Sequence, residues 1–463
     1  MLACRESQLR TLFGVAMAFA LVLLSAPACA PPPPPPEGNH NLLLVTLDTV
    51  RADFLEPYGF EGPSSPNLAA FAEGALLFEQ AFATAPRTSP SHASILTGRH
   101  PAHHGVLFNG FDMPVEVEIG ADSVTLAEHL QRAGFFTGGI VSAGTLDERY
   151  GFQRGFDTFE SEGTRKERQK PEVGGGADEV TDTALRWLKK HRGERFFLWV
   201  HYYEAHSPFH SPPEVWQAMG MEPGEIVTME SARSGEQSLE SIRRSYQAEI
   251  FELDAQVGRL LDGMAELGLA GGTLVAMVSD HGEYLGEHGY FGHQELFDEM
   301  LHVPMIIRSP TLEPGRRPEL VSTIDLAPTL LGLLGVPPLA GSQGVDLLDP
   351  GRVLPEWVFA EWRNHAPWLG QREARPRDFI FSARSASSKM IYDLPFPERS
   401  YVFDLERDAG ESENLFGAHE GAPPDPEPVL RRHLDGMPQG ALSLGEMTLD
   451  PETLEMLKSL GYI

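Results

Sequence analysis

Four places in the 463-residue chain bring carboxylate, imidazole or hydroxyl groups together at spacings that could do chemistry. Asp48-Thr49 follows the apolar run Leu42–Leu47, His201 to His206 closes the run Phe196–Tyr203, and Asp280-His281 follows Thr273–Ser279. Carboxylate oxygen and imidazole nitrogen are ligands that suit a divalent cation. A lone carboxylate after a strand usually caps the next helix. Two of them, with histidines close by, point instead to a shared metal site. Histidine is concentrated in the same places: 11 of the 17 lie in 92–104, 201–210 and 281–302. The fourth place is Thr88-Ser89-Pro90-Ser91-His92. There Thr88 is either the cap of a helix opening at Pro90 or, with a metal or base beside it, a nucleophile.

Such groups need a frame that brings strand ends together. Leu42–Leu47, Phe196–Tyr203, Thr273–Ser279 and Val303–Ile307 read as strands buried on both faces. Helical patterns lie between them. The clearest repeats Ile242, Tyr246, Ile250, Leu253, Val257, Leu260, Met264 and Leu267 at three or four residues. Pro66–Glu73, Ser123–Gln131 and Asp178–His191 are further helices by pattern. This alternation predicts an α/β fold, a mostly parallel sheet sandwiched by helices, with its chemistry at the carboxyl ends of the strands. After about Pro350 scattered aromatics, prolines and acidic residues replace the alternation. Residues 40–350 are therefore expected to form the catalytic domain and 351–463 a smaller α+β C-terminal subdomain.

The composition narrows the function. Subtracting 66 acidic from 36 basic residues leaves a net charge of −30, which opposes nucleic acid and anionic membrane as partners. An anionic substrate must then meet local positive charge from a metal, Arg or His. The two cysteines, Cys4 and Cys29, both lie in the leader, which excludes a disulfide, a zinc–cysteine site and a cysteine nucleophile in the domain. In that leader, Arg5 and Arg10 precede the apolar stretch Leu12–Leu24 and the small residues Ser25-Ala26-Pro27-Ala28. Residues 1–28 read as a signal peptide and 29–39 as a stiff spacer built on Pro31–Pro36. Cys29 after small residues resembles a lipobox, so the expected location is the periplasm or outer membrane as a lipoprotein, with plain secretion as the alternative.

The segment Thr88-Ser89-Pro90-Ser91-His92-Ala93-Ser94-Ile95-Leu96-Thr97-Gly98-Arg99 resembles the sulfatase signature. Further stretches are similar to that family in the same order: Leu47-Asp48-Thr49-Val50-Arg51-Ala52-Asp53, Ser65-Pro66-Asn67-Leu68, Tyr150 to Asp157, Ser279-Asp280-His281-Gly282-Glu283, Asp325 to Thr329 and Leu460-Gly461-Tyr462. The resemblance covers residues 40–463 and implies the fold of the alkaline phosphatase superfamily. It implies Asp48, Thr49, Asp280 and His281 as the metal position, His206 on the leaving group, and His293, where many members have Lys, on the transferred group. It also implies substrate binding by Asn109 and by His92, which stands where the signature has Arg. The implied cofactor is one divalent ion: Ca²⁺ by resemblance, or Zn²⁺ or Mn²⁺ because Thr49 replaces an Asp and His281 supplies nitrogen. Thr88 stands where the family has the Cys or Ser that becomes formylglycine, so no formylglycine is expected here.

The implied reaction is in-line displacement on a sulfate or phosphate ester through a covalent Thr88 intermediate. A phosphoryl transferase of the same superfamily and a catalytically inactive binding protein are the alternatives. The alcohol portion of the substrate and the oligomeric state are not written in these motifs. His201, His210, His288 and His302 are read as supporting or surface residues, and His100, His103 and His104 as structural.

Overall fold

The computed structural model describes residues 40–109, 118–161, 176–364, 378–417 and 425–438. The leader, Cys29, the proline spacer and the terminal Leu460-Gly461-Tyr462 lie outside them. The large sheet is built from β1 (Asn41–Leu47), β2 (Leu76–Phe82), β3 (Phe136–Val141), β4 (Thr158–Glu160), β5 (Phe196–Tyr202), β6 (Thr273–Ser279), β9 (His302–Arg308) and β10 (Gly315–Ser322), with the short pair β7 (Tyr284–Leu285) and β8 (Phe291–Gly292) beside it. Its order is β10-β2-β9-β6-β1-β5-β3-β4. Every pairing is parallel except those of β9, which runs antiparallel to β2 and β6. The sheet is thus mostly parallel but mixed.

Every residue of β1, β5 and β6 is buried, because both faces are covered. Alternate residues serve opposite cores. Leu42, Leu44, Phe197, Trp199, Leu274, Ala276 and Val278 pack with the helices Thr88–Thr97, Leu126–Arg132 and Leu326–Leu334. Leu43, Val45, Leu198, Val200, Val275 and Met277 pack with Pro66–Glu73, Ala177–His191 and Leu239–Glu266. Apolar runs rather than alternating ones follow from that two-sided burial. The predicted helix at Ser123 begins later, at Leu126. Thr125 Oγ1 accepts the Glu128 N–H at 3.1 Å while Glu128 Oε2 accepts the Thr125 N–H at 2.9 Å, a reciprocal cap that sets the start.

The C-terminal region is an antiparallel meander of β11 (Val358–Arg363), β12 (Phe379–Arg384), β13 (Ser388–Asp393) and β14 (Tyr401–Asp404). The helix Glu427–Asp435 lays Leu430 and Leu434 on one face of it. The other face, through Val358, Ala360, Trp362, Ile380 and Phe403, meets Tyr284, Leu296 and Phe297 beside the large sheet. An ion cluster seals this seam. The fully buried Lys389 ammonium lies 2.7 Å from both Asp298 Oδ1 and Glu411 Oε1, and Arg384 Nε is 3.1 Å from Asp298 Oδ2.

Removing one member of such a cluster leaves its partners buried and unpaired. Lys389→Met should therefore destabilise the fold by about 3–5 kcal/mol, read as a lowered urea midpoint. Glu411→Gln in the same chain should recover part of the loss, and an unchanged midpoint for Lys389→Met would show that the cluster is not structural.

Candidate active site

Strand register sets the position of the site. Leu47 pairs with Tyr202 on one side and with Ser279 on the other, so Asp48 and Asp280 leave the sheet at one level. Both are fully buried. The chain turns sharply behind Asp48: Thr49 has φ +57°, an unusual conformation for a β-branched residue. Hydrogen bonds hold it there. The Thr49 N–H donates to Asp280 Oδ1 at 3.0 Å, the Val50 N–H to Ser279 Oγ at 3.0 Å, and the Tyr246 hydroxyl to the Thr49 carbonyl at 2.6 Å. On the Asp280 side, Gly282 passes so close to the Glu299 carbonyl that any Cβ would collide with it.

Asp48, Asp280 and His281 each present a ligand atom, and these atoms lie within 4.8 Å of one another. Asp280 Oδ1 accepts the N–H groups of Thr49 and His281 at 3.0 and 2.8 Å. Its Oδ2 is buried with no hydrogen-bond partner among the described residues. His281 Nδ1 faces the Gly282 carbonyl at 2.9 Å and so carries the proton, leaving the lone pair on Nε2, which is likewise buried and unpartnered. Burial, with Asp48 alongside, pushes the Asp280 carboxyl well above its usual range. Burial, with His293 nearby, holds the His281 imidazole well below its own. Two buried carboxylates and a lone-pair nitrogen aimed at one point fit a divalent cation. Thr49 adds its backbone N–H to Asp280, and its own hydroxyl is buried without a partner.

His201 orients Asp48. The Ser142 N–H faces His201 Nδ1 at 3.4 Å, while the Ser142 hydroxyl donates to the His201 carbonyl at 2.8 Å. Nδ1 is then the acceptor, and Nε2–H points at Asp48 Oδ2, 3.2 Å away. This is the outer support that fixes a ligand's geometry.

The helix Thr88–Thr97 is buried along its whole length, and its N-terminus opens at the site. Thr88 is its first residue rather than its cap. That place is held by Arg87 without a side-chain hydrogen bond, so the capping role open to Thr88 from its spacing is corrected. Asn109 caps the turn instead, its Oδ1 accepting the Ser89 N–H at 3.0 Å. Ser91 Oγ donates to the Asp280 carbonyl at 2.6 Å, stitching the helix to the ligand strand. His92 is fully buried under this turn, with Nδ1 2.9 Å from the Thr88 carbonyl and 3.5 Å from Asp280 Oδ2. Its ring packs on His201 and Trp199, and burial beside His201 holds it well below the usual imidazole range.

His206 and His293 sit together, ring centroids 5.2 Å apart, and His293 is also 5.2 Å from His281. His206 stacks on Tyr203 at 4.4 Å. Three contributors were invisible in the sequence as site residues: Tyr246, which reads as one more core position of its helix, Ser142, and Glu283. Glu283 is fully buried, 3.5 Å from His293 Nδ1, and burial pushes its carboxyl up to about 7.

Comparison with known proteins agrees with this architecture. The sulfatase family model matches residues 40–336, and the model described as N-sulphoglucosamine sulphohydrolase, C-terminal, matches residues 286–423. Iduronate 2-sulfatase of Homo sapiens is 29% identical over 436 residues, covering 73% of this chain and 77% of that protein. Choline-sulfatase of Rhizobium meliloti is 25% identical and covers 82% of each. A structure solved with its substrate D-glucosamine-2-N,6-O-disulfate superposes with TM-score 0.69 at 19% identity, over 85% of this chain and 96% of the other. The phosphonate monoester hydrolase of Agrobacterium radiobacter gives 0.68 at 21% identity, over 85% and 94%. At these identities the two structures establish the fold.

His201→Ala removes the group that orients Asp48. Divalent-metal affinity should fall by about 10–100-fold, measured by competition against a chromogenic chelator. An unchanged affinity would mean that Asp48 holds its place without the imidazole.

Proposed function

The chain belongs to the sulfatase family, and from that premise we propose that it is a metal-dependent hydrolase of sulfate or phosphate esters that uses Thr88 as its nucleophile. The junction at His92 carries this reading, because one nitrogen lies 2.9 Å from the Thr88 carbonyl and 3.5 Å from Asp280 Oδ2. The turn bearing Thr88 is thereby tied to the ligand carboxylates. Asp48, Asp280 and His281 would hold the cation, whose chemistry is to lower the pKa of a hydroxyl and draw charge from the transferred group.

The Thr88 hydroxyl has no hydrogen-bond partner among the described residues, which leaves it available to substrate. Its oxygen attacks phosphorus or sulfur in line as its proton passes to solvent, the bond to the departing oxygen breaks, and His206 gives that oxygen the proton it leaves with as an alcohol. His206 and His293 are the groups placed to meet the negative charge that develops on that oxygen. Water then displaces the Thr88 ester, releasing the inorganic anion and restoring the hydroxyl. A formylglycine sulfate can break down by elimination, whereas a threonine ester has to be displaced. That argues for phosphate esters; relatives named for sulfate esters argue for sulfate. Asn109, with Oδ1 committed to Ser89, keeps its amide N–H groups for the anion. Export with lipidation at Cys29 completes the reading.

Purified full chain assayed against an aryl sulfate, a phosphate monoester and a phosphodiester decides the substrate class. Acceptor alcohols in parallel reactions separate hydrolysis from transfer. On the best substrate Thr88→Ala should lose several orders of magnitude in turnover, with a thermal midpoint near wild type. Thr88→Ser should keep part of the activity. Near-wild-type turnover in Thr88→Ala, with host phosphatases excluded by an Asp280→Ala preparation, would sink the nucleophile assignment. Labelling with a fatty-acid analogue should mark the wild type and not Cys29→Ala; a mark that persists in Cys29→Ala overturns the lipobox reading of Cys29.

A further inference from the structure

The leaving-group side of the site carries an arginine that no acid neutralises. Arg233 lies in the last turn of the short helix Met229–Ser234 and is exposed. Its one hydrogen bond among the described residues runs from Nη2 to the Phe291 carbonyl at 3.0 Å, and no described carboxylate pairs with it. Arg51 and Arg243, by contrast, are committed to Glu287 at 2.9 and 2.6 Å. A guanidinium presents five N–H donors in a planar fork, so most of those on Arg233 remain for a ligand.

Its place is fixed from both sides of the His206–His293 pair. Phe209, just after the His206 turn, exchanges backbone hydrogen bonds with Val227 at 2.8 and 3.1 Å, which ties the segment leading to Arg233 to the loop bearing His206. The Phe291 carbonyl that Arg233 holds belongs to β8, immediately ahead of His293. The space a Cβ would take at Gly292 lies 3.1 Å from Arg233 Nη2 and 3.8 Å from Glu283 Oε1, and glycine leaves it open. Glu283 Oε1 is in turn 3.5 Å from His293 Nδ1. Burial pushes the Glu283 carboxyl up, and His206 and then Arg233 lead the charges that pull it back, so the field of Arg233 reaches the site.

A cation in the last turn of a helix gains a little from the helix dipole, and bracing β8 occupies one N–H. Neither role uses the rest of the fork at the exposed edge of the site. Glu283 is fully buried, so a substituent arriving from solvent meets the guanidinium before that carboxylate. A planar fork of charged donors suits a carboxylate, sulfate or phosphate group.

We propose that Arg233 binds the alcohol portion of the substrate, and that this alcohol carries a second anionic group besides the ester that is cleaved. The proposal rests on the hydrolase reading, with the alcohol departing past His206.

The test compares esters of para- and meta-hydroxybenzoate with esters of the matching neutral hydroxybenzamides, each as the sulfate or phosphate that the purified full chain turns over best. Hydroxybenzenesulfonate esters form a third arm that separates a planar from a tetrahedral anion. Wild type should prefer the charged alcohols in kcat/KM. In Arg233→Gln the ratio of charged to neutral should fall by about tenfold or more, through KM rather than kcat, because the contact is made equally in ground and transition states. Arg233→Lys should restore part of that ratio, having the charge without the fork. An equal loss on charged and neutral esters would mean that Arg233 only braces β8, and no preference in wild type would mean that the alcohol is neutral; either result overturns the proposal. If wild type turns over none of the esters, the hydrolase reading fails, and calorimetric binding of the same esters decides. A preference for charged esters that is lost in Arg233→Gln then keeps the anion site, and its absence overturns that site too.

Discussion

Two carboxylates, Asp48 and Asp280, are buried side by side at the ends of paired strands, and much of the surrounding structure answers to their repulsion. Removing a charge from water costs several kcal/mol even after relaxation, so each oxygen needs a donor or an ion. Backbone N–H groups of Thr49 and His281 take Asp280 Oδ1, and His201 takes Asp48 Oδ2. The left-handed Thr49 is part of this arrangement. Its conformation turns the N–H toward Asp280, and Tyr246 from the long helix holds the carbonyl on the other side. His92 approaches Asp280 from beneath the Thr88 turn. The Thr88 turn, the buried carboxylates and the helix are therefore one linked arrangement.

The sheet was legible where burial on both faces makes apolar runs. β1, β5, β6 and the core of β9 stand out in the sequence for that reason. β3 does not, because Gly138 and Gly139 interrupt the pattern. The ring of Trp187 fills the space of a Cβ at the first, and that of Phe159 does so at the second. β10 is hidden too: it is an edge strand, and its Gly-Arg-Arg-Pro-Glu start is exposed or half-buried. Direction is equally silent, since Val303–Ile307 reads the same whether it runs with its neighbours or, as it does, against them.

The candidate ligands Asp48, Asp280 and His281 were legible because Asp48 follows one strand and the pair Asp280-His281 another, and the two strands share a sheet edge. Their supports were not. Tyr246 lies 197 residues from the carbonyl it holds, and its spacing marks it as core, which it also is. The proton position on His201 depends on a Ser142 backbone N–H from a neighbouring strand end, a fact of register rather than of composition. The side chain of His92 was read toward substrate. In the structure its Nδ1 faces the carbonyl four residues back, as the i to i−4 spacing allows, and the ring is fully buried.

Charge also sets an order of events. The chain carries −30, and the pocket itself adds three buried carboxylates, Asp48, Asp280 and Glu283. An ester of sulfate or phosphate approaching these groups alone would meet repulsion in a medium that screens it poorly. Nearby arginines offset part of this: Arg233, Arg51 and Arg87 all act to lower the pKa of Glu283. They do not prevail, because burial still leaves that carboxyl near 7. Arg51 is moreover committed to Asp53 and Glu287, at 2.7 and 2.9 Å. On the proposed reading, a cation at Asp48, Asp280 and His281 would supply the remaining positive charge. A cation is attracted by the same field that repels the substrate. On the metal-dependent reading proposed above, metal would enter first and turn the pocket from anion-repelling to anion-binding, making the acidic protein and an anionic substrate compatible in that sequence.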